Sequence, residues 1–231
     1  MLPDGHFLSF IKLPGSCCEL CGTANTGPYC LCKDCITDLT RIIHDCSICG
    51  RALPEPGVCG ACLNNPLPLD RTVAVFQYRY PLTSLIKKYK YNQCLNLARP
   101  FARALSEKLA GLDAPPPELM IPVPLHYLRL YSRGFNQALE ICRILNQDLK
   151  IPFDYNLVSR ARNTAPMFAL SAPQRRKNMV GAYKMQRPLL YRSLAIVDDV
   201  ITTGTTGSEL ARLLRGAGAR HVELWALARA E

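Results

Sequence analysis

The stretch that decides the fold is LAIVDDVITTGTT, residues 194–206. It begins with four apolar residues, which is typical of a parallel strand buried on both faces. Asp198 and Asp199 follow, where that strand is expected to end, and a hydroxyl-rich turn around Gly204 leads into a helical pattern. A strand, a turn and a helix N-terminus in this order direct backbone N–H groups and the helix dipole at one point. The stretch therefore predicts an anion-binding site at one end of a parallel α/β sheet.

The polar side chains of this stretch point to a phosphorylated sugar. Threonine hydroxyls can donate to phosphate oxygens, and Asp198 and Asp199 can accept from a sugar diol or ligate Mg²⁺ through water. The pattern resembles the phosphoribosyl-pyrophosphate (PRPP) loop of type I phosphoribosyltransferases, which implies that PRPP binds with Mg²⁺ and that the two acids are catalytic. The implied binding residues are Val200, Ile201, Thr202, Thr203, Gly204, Thr205 and Thr206. The alternative is an ordinary strand-to-helix turn capped by Asp and Thr.

A second loop lies at the end of an earlier apolar stretch, LMIPVPL at residues 119–125, and contains its two prolines. Its two prolines restrict the backbone, so this loop is expected to be pre-shaped. In type I phosphoribosyltransferases the loop after the first core strand holds pyrophosphate, and the resemblance implies that role for Pro122, Val123 and Pro124. Arg133 and Asn136 are candidate phosphate donors. The alternative is a purely structural connection.

Eight of the twelve cysteines form four C-x-x-C pairs before residue 63. Two such pairs direct four thiolates at one tetrahedral zinc ion. The predicted ligands, paired in sequence order, are Cys18, Cys21, Cys32 and Cys35 for one ion and Cys46, Cys49, Cys59 and Cys62 for the other. A cross-braced pairing, an iron–sulfur cluster and a disulfide framework are the alternatives. Saturated four-thiolate sites leave no position for water, so the two zinc ions are expected to be structural.

Charge is distributed unevenly along the chain. Residues 1–66 carry four basic and six acidic residues, whereas residues 67–231 carry 24 basic and 12 acidic ones. The basic excess is densest between Arg129 and Arg192, which suits a polyanion such as nucleic acid; an arginine-rich surface without a ligand is the alternative. The candidate nucleic-acid contacts are Arg129, Arg160, Arg162, Arg175, Arg176 and Lys177.

The turn-rich sequence at residues 64–68 predicts a boundary between a zinc-ribbon domain, residues 1–66, and a phosphoribosyltransferase-like domain, residues 67–231. Strands are expected at residues 71–80, 155–158, 194–197 and 221–228 and at the beginning of 119–125, where a strand runs into the proline loop, with helical patterns between them. No convincing signal peptide and no run of about 18 apolar residues is found, so a cytoplasmic location is expected.

Beyond single loops, the chain resembles the ComF family of competence-associated proteins over nearly its whole length. The resemblance is carried by the C-x-x-C pairs, the 122–125 and 133–137 loops, Arg176-x-Asn178 with Gly181-Ala182-Tyr183, and the PRPP-like loop. It implies a role in natural transformation, handling incoming single-stranded DNA together with a helicase or inner-membrane channel. A salvage phosphoribosyltransferase and a zinc-ribbon adaptor for a translocation helicase are the alternatives, and transferase activity stays open.

Overall fold

A computed structural model describes residues 17–24, 30–91, 94–161 and 181–231 of the chain. Its N-terminal segment consists of short elements between cysteine turns. Helix α1 spans Lys33–Thr37, strands β1 (His44–Asp45) and β2 (Ala52–Leu53) pair antiparallel, and helix α2 spans Gly60–Asn64. Elements this short cannot bury a core of their own, so the fold of this segment depends on its cysteines and on contacts with the rest of the chain.

Four parallel strands form the main sheet, as the apolar runs predict. They are β3 (Arg71–Gln77), β4 (Leu119–Pro122), β7 (Ser193–Ile201) and β8 (His221–Arg229), in the order β3-β8-β7-β4. A separate antiparallel pair is made by β5 (Val158–Arg160) and β6 (Tyr183–Met185). The loops that carry the predicted site residues leave the C-terminal ends of β4 and β7, which are neighbours in the sheet. The fold is therefore a parallel α/β sheet with a cysteine-rich N-terminal segment.

Helices cover both faces of this sheet. They are α3 (Leu82–Tyr91), a 3₁₀ turn (Leu95–Leu97), α4 (Ala98–Ala110), α5 (Tyr127–Arg133), α6 (Gln137–Leu149) and α7 (Thr205–Gly216). Strand β7 alternates between two cores: Ala195 and Val197 lie in the cluster that includes α3, α4 and α6, while Leu194 and Ile196 lie in the cluster that includes α7. This double burial explains the unbroken apolar run in the sequence. None of the helices in the described ranges combines the length and apolarity of a membrane span.

Several strand boundaries differ from the sequence-based expectation: β3 ends at Gln77 rather than at Tyr80, and β5 and β7 also differ. Strand β7 continues through both aspartates to Ile201, because parallel pairing with β8 extends from Asp198 opposite Ala226 to Ile201 opposite Arg229. The strand expected at residues 155–158 lies at Val158–Arg160 instead, since Asp154 caps a turn by accepting from the backbone N–H of Asn156. The division into two domains at residue 66 stays a prediction.

Candidate functional site

The turn between β7 and α7 has the geometry of an anion-binding loop. Gly204 has φ of 73° and precedes the first residue of α7, and its carbonyl accepts the N–H of Ser208 at 2.8 Å. The hydroxyl oxygens of Thr203 and Thr205 lie 2.6 Å apart on either side of the glycine. The left-handed conformation is the one that glycine adopts without steric cost. The turn thus sets two hydroxyls beside the N-terminus of a twelve-residue helix, an arrangement that favours an oxyanion.

A second glycine allows this helix to approach the sheet. A Cβ atom on Gly207 would lie 2.5 Å from Cδ2 of Leu224 on β8, so a larger residue would displace either the buried Leu224 side chain or the first turn of α7. Because the first turn carries the free N–H groups of the helix, the position of any bound anion depends on this close contact.

The two aspartates of β7 have different environments. Asp199 is 8% exposed, and its Oδ2 lies 2.8 Å from Nζ of Lys90, near the C-terminal end of α3. Burial alone would lower the pKa of Lys90, but the charge of Asp199 outweighs it and raises that pKa. Burial, and next the charge of Asp199, raise the pKa of Asp198 to about 7, although Lys90 opposes the shift. Two adjacent carboxyls with one lysine can accept hydrogen bonds from a diol.

Lys90 contacts the acid pair, but the sequence analysis did not select it as a site residue. Its neighbours Lys87 and Lys88 look the same in the sequence, and a solvated helix surface accounts for all three equally well. The available signal is periodicity, because Lys90 continues the stripe of Leu82 and Ile86, which are buried. A lysine in a buried stripe needs an acid partner.

The proline loop after β4 is held by backbone contacts at the same edge of the sheet. The N–H of Val123 donates to the carbonyl of Val197 on β7 at 2.9 Å, and the carbonyl of Val123 accepts from Nδ2 of Asn136 at 3.1 Å. Asn136 also caps α6, since its Oδ1 accepts the N–H of Ala138 at 3.0 Å. Its amide is thus engaged in holding the loop, while Arg133 donates to Oε1 of Gln137 at 3.1 Å and lies over the ring of Tyr91.

Three buried polar atoms near these loops have no hydrogen-bond partner within the described residues. Two lie on the first turns of helices that begin at this end of the sheet: Nε2 of Gln137 on α6 and Oγ of Ser208 on α7. The third is the hydroxyl of Tyr183 on β6, 6% exposed, whose pKa is raised by burial and, further, by the charge of Asp198. Buried polar atoms without partners are expected where a ligand supplies the missing bonds.

A basic and aromatic surface extends from the site along α5. No residue of α5 is buried, and Tyr127 and Tyr131 are 69% and 91% exposed. Arg129 on this helix is partly buried, and its pKa is lowered by this partial burial and then by the positive charges of Arg160 and Arg133. The other predicted nucleic-acid contacts, Arg162, Arg175, Arg176 and Lys177, lie outside the described residues.

The eight C-x-x-C cysteines form two groups in sequence order. Within each group the four Sγ atoms lie within 4.8 Å of one another, and the Sγ–Sγ distances Cys21–Cys32 and Cys49–Cys59 are 3.8 Å and 3.7 Å. A tetrahedral ion with bonds of about 2.3 Å to sulfur holds its ligands about 3.8 Å apart. The sulfur positions therefore fit a four-coordinate thiophilic metal ion such as Zn²⁺. The members of the two tetrads are Cys18, Cys21, Cys32 and Cys35, and Cys46, Cys49, Cys59 and Cys62.

In each tetrad, backbone donors favour the thiolate form of one cysteine, whereas burial and neighbouring cysteine side chains raise the pKa of Cys35 and Cys62. Burial disfavours ionisation of Cys18 and Cys46, but several N–H groups of the knuckles outweigh it and lower their pKa values to about 6 and about 7. For example, the N–H of Cys59 donates to Sγ of Cys46 at 3.3 Å. Since metals bind the thiolate form, these donors favour metal binding.

The chain is similar to curated proteins over most of its length. It is 36% identical over 205 residues to "DNA utilization protein YhgH" of Escherichia coli O157:H7, a match that covers 80% of this chain and 89% of the relative. It is 37% identical over 210 residues to "Competence protein F" of Haemophilus influenzae, covering 87% and 90%. Identity to "Competence protein ComFC" of Streptococcus pneumoniae is 24% over 206 residues, covering 87% and 88%.

No protein-family model matches the chain. Among solved structures, the purine phosphoribosyltransferase from Pyrococcus horikoshii Ot3 is similar with a TM-score of 0.33 and 18% identity, covering 58% of this chain and 82% of that one.

Proposed function

Because the chain belongs to the ComF family, we propose that it acts in DNA uptake, where it binds PRPP and handles single-stranded DNA. The names of its relatives support the role in competence and DNA use. The observation that carries the PRPP proposal is the turn between β7 and α7, with Gly204 at φ 73° between Thr203 and Thr205 at the start of a helix. A phosphate there would receive hydroxyl and backbone N–H donors together with the helix dipole.

The acid pair would contact the ribose of PRPP. With the 5′-phosphate at Thr202–Thr206, the diol would reach back to Asp198 and Asp199 on the preceding strand. Lys90 would orient the carboxylate of Asp199, which would accept a hydrogen bond from a ribose hydroxyl. The loop of Pro122, Val123 and Pro124 at the adjacent strand end would border the pyrophosphate. Mg²⁺ would enter with PRPP, held mainly by pyrophosphate oxygens and water.

The two tetrads would each hold a zinc ion with a structural role. Four thiolates complete the coordination of Zn²⁺, so no position remains for a water nucleophile. Such thiolate sites persist in reducing compartments, which supports the cytoplasm as the location. A helicase or inner-membrane channel of the uptake machinery is the proposed protein partner.

Single-stranded DNA would bind along α5. Exposed Tyr127 and Tyr131 offer faces on which bases stack without sequence preference, and the cluster of Arg129, Arg133 and Arg160 would follow the phosphates. This surface begins at the proline loop, so a strand bound on it would pass the PRPP site.

Titration calorimetry with PRPP and Mg²⁺ tests the first half of the proposal. We expect wild-type protein to bind PRPP and the Thr203→Val, Thr205→Val double variant to lose at least about tenfold in affinity, because two donors are removed where a phosphate would lie. A matched control is Thr37→Val, whose hydroxyl donates within α1. Absence of PRPP binding would contradict the proposal, whereas turnover of one free nucleobase without DNA binding would favour a salvage enzyme.

Fluorescence anisotropy with a labelled single strand tests the second half. Tyr131→Ala should weaken binding at least about fivefold, since base stacking on an aromatic ring contributes about 1–3 kcal/mol. Arg129→Gln should reduce the slope of log affinity against log salt by about 0.7. The controls are Tyr191→Ala and Arg220→Gln, exposed residues at the opposite end of the sheet. Equal effects at both ends would contradict an interface on α5.

A further inference from the structure

Arg229, the last residue of β8, joins the second cysteine tetrad to the phosphate loop. Its Nε donates to the backbone carbonyl of Cys49 at 2.8 Å, and its Nη1 donates to the carbonyls of Thr202 and Ala230. The residue is only 5% exposed. Cys49 supplies a tetrad sulfur, and Thr202 begins the loop after β7. One buried guanidinium thus fixes the backbone of both sites.

The chemistry of this contact depends on what the tetrad holds. Four thiolates around Zn²⁺ carry a net charge of about −2, which favours a buried cation against Cys49. Without the ion, nothing holds the four sulfur atoms together, and the turn that presents the carbonyl of Cys49 is free to move. Loss of the metal would therefore weaken the hold of Arg229 on both backbones.

The position of Thr202 in turn affects the phosphate loop. Its carbonyl is anchored directly before Thr203 and Gly204, where the chain turns into α7. A planar guanidinium with several fixed donors can orient two backbone segments at once, whereas a lysine ammonium acts as a point charge. The geometry of the loop therefore rests on a contact whose other end lies on the metal site.

We propose that Arg229 is a positioning residue that couples metal occupancy of the second tetrad to ligand binding at the phosphate loop. Metal in the tetrad of Cys46, Cys49, Cys59 and Cys62 tightens PRPP binding, and PRPP tightens metal binding by the same factor, because coupling between two binding sites is reciprocal. The proposal rests on the proposed PRPP function and adds its regulation by metal supply. A chain that has lost this metal would bind PRPP poorly while its sheet stays folded.

The test measures zinc release from the zinc-reconstituted full chain into a chromogenic chelator, with and without saturating PRPP and Mg²⁺. In wild type, PRPP should slow the release of one of the two ions at least about fivefold, the lower end of typical allosteric coupling. Arg229→Lys keeps the positive charge but loses the planar set of N–H donors. The rate of zinc release without PRPP, divided by the rate with PRPP, should then fall to about one. Arg229→Met should do the same, and the lysine variant covers the case in which the methionine variant does not fold.

Lys108→Met is the matched control. Lys108 also ties the N-terminal segment to the sheet, because its Nζ donates to Asp45 Oδ2 at 2.7 Å and to the carbonyl of Ala74 at 2.9 Å, but it does not contact the phosphate loop. This variant should release zinc faster and still respond to PRPP with the wild-type ratio. A loss of coupling in Lys108→Met would indicate general loosening and overturn the assignment.

The remaining outcomes separate the two proposals. If calorimetry shows PRPP binding but PRPP leaves the release of both ions unchanged, or if Arg229→Lys retains the wild-type ratio, the coupling is wrong and the proposed function stands. If wild type binds no PRPP, both are wrong. Metal-depleted protein offers a second readout, since its affinity for PRPP should fall by the same factor by which PRPP raises the equilibrium affinity for the metal.

Discussion

The contact between Lys90 and Asp199 gives one residue pair two roles, in folding and in the candidate site. The side chains are only 21% and 11% exposed, so each charge depends on the other for compensation. Asp199→Asn should remove the proposed ribose contact and also leave the lysine charge without a partner. We expect loss of measurable PRPP binding and a fall of about 1–3 kcal/mol in the free energy of unfolding.

A double variant separates the two effects. Lys90→Met combined with Asp199→Asn removes both charges, so urea unfolding should show stability regained relative to Asp199→Asn alone. PRPP binding should remain absent, because the carboxylate is still missing. Binding of PRPP by the double variant would contradict the role of Asp199.

Asp198 makes the stability of the chain depend on pH. Its pKa is raised to about 7, above the ordinary carboxyl value, so the folded chain binds this proton more tightly than the unfolded chain does. The stability that follows from this is fully present below about pH 4 and is lost as the pH rises to about 7. Urea unfolding at several pH values should therefore show a smaller decline over this window in Asp198→Asn than in wild type. Parallel stability curves for the two proteins would show that Asp198 titrates normally.

At the scale of secondary structure, the packing of α7 on β8 fixes the distance between the N-terminus of α7 and the sheet. Gly207→Ala would place a methyl group 2.5 Å from Leu224, and overpacking of this kind costs about 1–3 kcal/mol. We expect a lower melting temperature because the contact with the buried Leu224 side chain is overpacked, and weaker PRPP binding because relief of this contact displaces the first turn of α7.

The same helix contains its own control. Gly216 lies at the end of α7, and a Cβ there would meet nothing within 4 Å. Gly216→Ala should leave PRPP binding unchanged and raise stability by up to about 1 kcal/mol, since glycine is a poor helix former. If both substitutions had the same effect, the contact between Gly207 and Leu224 would not be the cause.

The sequence predicts which helices and strands are present better than it predicts the residues at which they begin and end. The apolar run before Asp198 indicates a buried parallel strand because both faces of β7 are covered, and that signal is local. The continuation of β7 to Ile201 depends on a partner strand that begins twenty residues later, at His221, and no local pattern encodes it. The same limit applies to the pairs of Lys90 with Asp199 and of Arg229 with Thr202, because each joins distant parts of the chain.

At the scale of the molecule, the cysteine-rich segment covers an edge of the sheet. Strand β3 is the outermost strand on one side, and its outer backbone groups bond to the segment: Thr72 N–H to the carbonyl of Ser47 at 2.8 Å, and Gln77 N–H to that of Thr40 at 2.9 Å. An uncovered edge strand of this kind is a template for association with other chains. The segment therefore protects the sheet as long as it stays folded.

Metal removal should expose this edge. We expect two zinc ions per folded chain by elemental analysis, and we expect chelation to unfold the segment because closed thiolate sites supply much of its folding free energy. Hydrogen exchange should then show loss of protection at the amides of Thr72 and Gln77, while those of the interior strand β7 remain protected. The apparent molar mass from light scattering should rise with protein concentration as the exposed edges associate. Full protection of both β3 amides in metal-free protein would mean that the segment folds on the sheet without its metals.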